Sequence, residues 1–121
     1  MKKATRLICW LLCTVVFIVL AGCSTPGPSI VGTIPPDSRF AKISIDMSRA
    51  EVHDLIGRPT NSHGYSTGKG FIPFYFGSDR MRFEDLYKGE GRITFTGVGV
   101  GGINLKVYKI EYDPNERGYP Q

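Results

Sequence analysis

The residues that most often carry enzyme chemistry are sparse in this chain of 121 residues. His53 and His63 are its only histidines, and their separation of ten positions matches no familiar zinc spacing. His53 is expected in solvent, on the polar side of a predicted helix. Four carboxylates are present, but a catalytic pair of acids cannot be assigned from sequence without a cleft: Asp79, Glu84, Asp85 and Glu90. We expect the charged residues of 80–85 on a solvated strand face, and we predict no catalytic or metal-binding residue and no enzyme.

Three glycines, Gly97, Gly99 and Gly102, satisfy the pattern G-x-G-x-x-G. In a dinucleotide-binding fold a helix opens at the last glycine, so that its amides face the pyrophosphate. Here residues 103–112 alternate apolar and polar side chains, as a strand does. We therefore predict a glycine-rich hairpin tip and no nucleotide site.

Cys23 is the residue whose surroundings predict a definite chemistry. The chain begins with the basic residues Lys2, Lys3 and Arg6 and continues into the apolar run Leu7–Ala21. That run has 15 residues, whereas a helix that spans a bilayer needs about 20. A basic start followed by a short apolar run is typical of a secretory signal peptide.

The residues Leu20-Ala21-Gly22-Cys23 resemble the bacterial lipobox. The resemblance implies a lipoprotein signal peptide over residues 1–22 and a covalent diacylglyceryl group on the Cys23 thiol, with an N-acyl chain on its amine. The alternative is an ordinary signal peptide followed by an unrelated cysteine. Ser24 comes next, and its resemblance to the sorting rule of Gram-negative lipoproteins implies an outer-membrane protein that faces the periplasm.

Removal of residues 1–22 would change the charge of the chain. The full sequence carries a net charge of +4, and three of its fifteen basic residues lie in that segment. The remainder is close to neutral, which argues against nucleic acid as a partner. Cys23 would be the only cysteine left, so the monomer could form no disulfide.

The remaining residues divide into two parts. Residues 23–39, rich in Pro, Gly, Ser and Thr, are typical of a flexible tether that begins at the lipidated cysteine. Residues 40–118 contain the apolar side chains of one small domain. At the start of that domain, residues 40–46 fit either a short helix or an extended segment.

One helix is well specified, over residues 49–56. Ser48 and Glu51 form a capping box, and Met47 and Val52 are placed for a hydrophobic staple. The apolar residues of the helix recur at helical spacing on one face: Val52, Leu55 and Ile56. Gly57 then allows positive φ, and Pro59 prevents the helix from continuing. These motif residues are assigned structural roles.

A sheet is expected after the helix. Four segments alternate or are bounded by turn residues: 71–77, 80–87, 92–100 and 103–112. Gly89-Glu90-Gly91, Gly101-Gly102 and Asp113-Pro114-Asn115 are predicted turns, and a change of parity in the last segment predicts a bulge near Val107–Tyr108. The fold class is therefore α+β: three or four antiparallel strands with one or two short helices on one face.

Phe71 and Tyr75 are predicted on the face of the first strand that points away from the core. Exposed aromatic side chains are enriched at interfaces, so these two are candidates for a partner surface. The alternative is that the tether or a neighbouring strand covers them.

Residues 46–60, DMSRAEVHDLIGRPT, resemble the signature G-M-[ST]-x-x-x-V-x-x-x-x-G-x-P of the SmpA/OmlA (BamE-like) lipoproteins. Met47, Ser48, Val52, Gly57 and Pro59 match it, and an aspartate replaces its first glycine. The resemblance extends over about residues 43–113. The helix-and-sheet unit also resembles one repeat of the β-lactamase inhibitor proteins.

The resemblance implies a non-enzymatic, lipid-anchored outer-membrane lipoprotein, a scaffold or accessory subunit for outer-membrane protein assembly or envelope integrity. It implies the membrane and an envelope protein, such as the barrel-assembly complex, as partners, and no cofactor or metal. The alternative is a tethered periplasmic binding or inhibitor module with a soluble protein partner.

Overall fold

The computed structural model describes Lys3, residues 27–99 and residues 103–120. Within these residues there are one α-helix, α1 (Arg49–Ile56), and five strands. The strands, in chain order from β1 to β5, are Ser29–Val31, Asn61–Ser66, Met81–Tyr87, Gly91–Val98 and Asn104–Tyr112. They form one sheet in the order β1-β5-β4-β3-β2. The pairs are antiparallel except that of β1 and β5, which is parallel.

The α+β class is confirmed, but the sheet is larger than predicted and mixed rather than antiparallel. The additional parallel strand, β1, comes from the segment predicted as a tether. Ser29–Val31 pairs with Lys109, Ile110 and Glu111 of β5. The folded part of the chain therefore includes residues before Phe40, because the exposed edge of β5 offers backbone groups that need partners.

The predicted first strand is wrong. Residues 71–77 form no strand; a 3-10 turn, Gly68–Phe71, leads into a loop. Pro73 has no backbone N–H to donate, and Phe74 has a φ of 59°, which no strand residue adopts. The first antiparallel strand is β2, which lies outside the four predicted segments because its side chains are mostly polar.

The polar composition of β2 follows from its position at the edge of the sheet. It is held by backbone pairing to β3, from Asn61 opposite Leu86 to Ser66 opposite Met81. Gly64 lies under the Phe83 ring, where a Cβ would come within 2.7 Å of a ring carbon. The pairing to β3 therefore maintains this edge strand, although its own side chains do not alternate between apolar and polar.

The helix is confirmed over the predicted residues, and it packs on one face of the sheet. Val52 and Ile56 are buried against the sheet. The prediction that Leu55 lies on the same buried face is wrong, because about half of this residue is exposed. The core cluster consists of residues from the helix, the 3-10 turn Arg39–Lys42, the residue that follows this turn, and the strands: Phe40, Ile43, Val52, Ile56, Tyr87, Ile93, Phe95, Val107 and Ile110. Met47 packs against this cluster.

The turn at Gly89–Gly91 and the turn after β5 are confirmed. So is the bulge, since Lys109 pairs with Thr94 and Val107 pairs with Phe95, which leaves Tyr108 between them. The predicted tip at Gly101-Gly102 lies outside the described residues.

Gly57 ends the helix at a φ of 84° and a ψ of −178°. This region of backbone space is essentially restricted to glycine. Nothing lies within 4 Å of a Cβ built at this position, so a substitution there would be strained only by its backbone.

We expect Gly57→Val to lower the free energy of unfolding by about 1–3 kcal/mol, because a β-branched residue is forced to positive φ. The matched control is Gly68→Val, since a Cβ at Gly68 also meets nothing within 4 Å but its φ is not positive. Urea denaturation followed by circular dichroism would measure both. An equal loss in the two variants would contradict the assignment of strain to Gly57.

Candidate functional site

The residues of the helix motif lie at the two ends of α1, with Ser48 and Glu51 at its start and Gly57 at its end. The Ser48 N–H donates to Glu51 Oε2 over 2.8 Å, and the Glu51 N–H donates to Ser48 Oγ over 3.3 Å. Hydrogen bonds from the side chain and backbone of Ser48 lower the pKa of Glu51. These residues cap the helix, which is the structural role predicted for them. Cys23 lies outside the described residues.

Phe71 and Tyr75 do not share a strand face. Phe71 is largely exposed at the end of the 3-10 turn. Tyr75 is half-buried, its ring lies against Gly77, and its hydroxyl donates to the carbonyl of Ser78 over 3.0 Å. Of the two predicted surface residues, only Phe71 is presented outward, and the other supports the loop from inside.

Sequence reasoning missed the side chains that accompany Phe71. In the segment 71–76, which we call the aromatic loop, Phe71, Ile72, Phe74 and Phe76 are 79%, 52%, 92% and 67% exposed. Four large apolar side chains within six residues form an exposed patch of the kind that marks interaction sites. The density of phenylalanine is visible in the sequence, but its alternation predicts a strand rather than an exposed loop.

The aromatic loop is held by a closed neck. The Thr67 N–H donates to the carbonyl of Arg80 over 2.9 Å, and the Thr67 hydroxyl donates to the carbonyls of Asp79 and Arg80. The Asp79 N–H donates to the carbonyl of Gly97 on β4 over 2.8 Å. The exposed tip therefore extends from a base that is fastened to the sheet.

The carboxylate of Asp79 is the main polar junction of this neck. Arg82 donates to it from Nε over 2.9 Å and from a terminal nitrogen over 3.1 Å. The Thr96 hydroxyl donates over 2.8 Å, and the Lys69 ammonium lies 3.3 Å away. Hydrogen bonds from Arg82, and then from Thr96, lower the pKa of Asp79 to about 2, although partial burial opposes the shift.

A second polar cluster lies between the helix and the sheet, around Asp85. The prediction of a solvated face is wrong for this residue, because its side chain is 0% exposed. Arg49 donates to both carboxylate oxygens, over 3.0 and 2.6 Å, and the Ser62 hydroxyl donates over 2.6 Å. His53, predicted to be in solvent, places Nε2 within 2.7 Å of the same carboxylate.

The hydrogen bonds of the Asp85 cluster keep its carboxylate ionised. Burial raises the pKa of this group, but hydrogen bonds from Arg49, Ser62 and His53 outweigh it and lower the pKa below its ordinary value. The guanidinium of Arg49 lies 5.7 Å from the ring centres of Phe83 and Phe95 as well. The cluster thus ties α1 to β2 and β3 through one buried charge.

The cluster contains a serine, a histidine and an aspartate, but their order differs from that of a nucleophilic triad. The carboxylate is central and accepts from Ser62 while it also contacts His53. In a triad the histidine is central and takes the proton of the serine. Here the hydroxyl proton of Ser62 points to a carboxylate of lowered pKa, which is an arrangement for fastening elements together.

Residues 64–68, GYSTG, satisfy the pattern G-x-S-x-G. The nucleophile elbow of that pattern needs a strand, a sharp turn and a helix. Ser66 instead ends the edge strand β2, and a 3-10 turn of four residues follows. Its side chain lines a shallow groove of about 400 Å³ beside the base of the aromatic loop, with Arg80, Phe83 and Leu105.

No family model, curated protein or solved structure matches this chain. Among the residues that the structure describes, no helix has the length and apolar character to cross a bilayer. The same part of the chain contains no group of three or more His, Cys, Asp or Glu side chains that could hold a metal ion.

We expect Asp85→Ala to lower the free energy of unfolding by about 3 kcal/mol, since it leaves Arg49 with no carboxylate partner at a partly buried site. Asp54→Ala is the matched control, because Asp54 lies on the exposed side of the same helix and should change stability by less than about 0.5 kcal/mol. Denaturation midpoints would measure both. Equal midpoints for the two variants would contradict a stabilising role for the cluster.

Acid should destabilise the domain through Asp79. Its pKa is lower in the folded chain than in the unfolded chain, so its contribution is present above about pH 4 and is lost as the pH falls toward 2. The loss from this group should approach about 1.4 kcal/mol per pH unit within that window.

Asp79→Asn should flatten this acid dependence, because asparagine keeps the positive φ of 61° but does not titrate. Hydrogen exchange of residues 67–80 should accelerate in the same variant as the neck loosens. Asp54→Asn is the control for both measurements. Identical acid profiles for the wild type and Asp79→Asn would contradict the assignment.

Proposed function

We propose that this protein is a lipid-anchored lipoprotein of the outer membrane, facing the periplasm, that acts without catalysis as a scaffold or accessory subunit for outer-membrane protein assembly or envelope integrity. Cys23 carries the lipid in this proposal, and the folded domain makes the contacts. The SmpA/OmlA-like helix motif at residues 46–60 supports the proposal, and so does the apolar run that ends at the lipobox-like sequence.

One structural observation carries the proposal: the aromatic loop is exposed and yet fastened. The base of the loop is tied to β4 through Asp79 and closed through Thr67, so the four apolar side chains extend from an ordered base. Phe74, the most exposed of its residues, adopts a φ of 59°. Such strained positions cluster at functional sites, where the surrounding structure maintains them.

The buried polar residues favour a contact function over chemistry. Asp79 and Asp85, the carboxylates with lowered pKa, accept hydrogen bonds from neighbouring side chains. They fasten the loop neck and the helix.

The second candidate function is a tethered periplasmic binding or inhibitor module with a soluble protein partner. The aromatic loop also favours this candidate, because a rigid apolar tip can enter a groove on another protein. The two candidates differ in whether function needs the lipid on Cys23.

The test is a purification of the full-length, C-terminally tagged protein from detergent-solubilised envelopes, beside the variants Cys23→Ala and Cys9→Ala. Cys9 is the matched control, since it lies within the predicted signal peptide. We expect the intact mass of the wild type and of Cys9→Ala to include the acyl groups, and barrel-assembly components to copurify with both. Both features should be absent from Cys23→Ala.

Two results would overturn the proposal. An unmodified mass for the wild type would remove the anchor. A single soluble periplasmic protein that copurifies equally with the wild type and with Cys23→Ala would establish the binding module instead.

A further inference from the structure

The aromatic loop belongs to one end of the sheet. It connects the end of β2 to the start of β3, where Ser66 pairs with Met81. The connection from β4 to β5 lies at the same end, because Val98 pairs with Asn104. Two further exposed side chains, those of Met81 and Ile103, are found there. We call the aromatic loop together with Met81 and Ile103 the apolar end.

The amino-terminal end of β1 faces the apolar end. β1 is parallel to β5, with Ser29 beside Lys109, so the chain enters β1 from the side on which Asn104 lies. Asn104 is five positions from Lys109 along β5, or about 17 Å in a strand. Cys23 is six positions before Ser29, and six residues can span at most about 20 Å. Cys23 can therefore reach the level of the apolar end.

The start of β1 and the aromatic loop lie at opposite sides of the sheet. β1 and β2 are the two edge strands of the sheet, so four strand spacings, about 19 Å, separate them. A lipid at one side and an apolar loop at the other would give two contacts with one surface. Two contacts fix the orientation of a domain, which a single flexible attachment does not.

The charge around the apolar end suits a surface that carries phosphate groups. Four basic side chains lie near it: Lys69, Arg80, Arg82 and Lys106. Near it, Asp79 is bound by Lys69 and Arg82, and Glu51 caps the helix. Asp46 lies beside Val107, next to Lys106. In the described part of the chain, Arg80 has no acidic side chain within ion-pair distance, and its Nε is buried without a hydrogen-bond partner.

We propose that the apolar end docks on the lipid bilayer, with the side chains of the aromatic loop inserted at the boundary between headgroups and acyl chains. The proposal rests on the anchor at Cys23 and specifies what the loop contacts. The strands then stand away from the membrane, and the opposite end of the domain faces the periplasm. One inserted lipid group with a second apolar contact holds a protein more stably than either alone.

The experiment uses tryptophan as a depth probe. Trp10 is the only tryptophan in the chain, so Trp10→Phe provides a background that is free of indole whether or not residues 1–22 are removed. In this background Phe74→Trp places the probe at the tip of the loop, and Phe71→Trp is a second probe if the first variant does not fold. Tyr119→Trp is the matched control, an exposed aromatic position beyond the far end of β5.

The full-length lipoprotein variants are reconstituted into protein-free liposomes whose acyl chains carry bromine, a quencher of indole fluorescence. We expect the emission of the Phe74→Trp or Phe71→Trp protein to shift to shorter wavelength and to fall about two-fold relative to unbrominated liposomes, because the aromatic side chains enter the interfacial region. The emission of Tyr119→Trp should not change. That pair of results supports the proposal.

Three outcomes would overturn it. Quenching of neither position, in protein that floats with the liposomes, would show that the loop stays in solvent. Equal quenching of both positions would show no defined orientation. A loop spectrum that shifts only when envelope proteins are added would assign the loop to a protein partner.

Failure of the anchor is distinguishable from failure of the docking. Flotation of the wild type and of Cys23→Ala is measured without reference to fluorescence. If the wild type does not float better than Cys23→Ala, the proposed anchor is wrong, and this orientation is overturned with it. If only the wild type floats, the quenching results decide the docking alone.

Discussion

The buried carboxylate of Asp85 determines how the two layers of this domain fit together. An aspartate that loses its water must gain hydrogen bonds of comparable strength, and here they come from Arg49 and His53 on the helix and from Ser62 on the neighbouring strand. Because hydrogen bonds are directional, they define the position of the helix along the sheet more narrowly than the apolar contacts of Val52 and Ile56 could. The core supplies most of the driving force, and Asp85 supplies the register between the layers.

The helix could be predicted to the residue, whereas the sheet could not. The signals for α1 are local: Ser48 and Glu51 satisfy one another across one turn, and Gly57 requires its own φ. β2 depends on backbone pairing to a strand about twenty positions later in the chain, and its polar side chains carry little periodic pattern. Local chemistry is visible in a sequence, and pairing at a distance is not.

The candidate site illustrates the same limit. Six consecutive residues with three phenylalanines, 71–76, have the composition of a buried strand. In the structure these side chains point outward. The neck beneath them is closed by Thr67, which bonds to Arg80, and is tied through Asp79 to Arg82 of β3 and Thr96 of β4. Likewise, nothing beside Asp85 in the sequence indicates that a helix residue, Arg49, will meet it. Composition identified the relevant residues but assigned them to the wrong environment.

The parallel pairing of β1 with β5 has a mechanical consequence. A pull on the chain before Ser29 is directed along the axis of β1, so it slides one strand past the other and loads the hydrogen bonds of the pair together. An antiparallel first strand at this edge would instead enter from the opposite end and could be peeled away one bond at a time. A short strand of three residues can thus resist a pulling force from its amino-terminal side better than its length suggests.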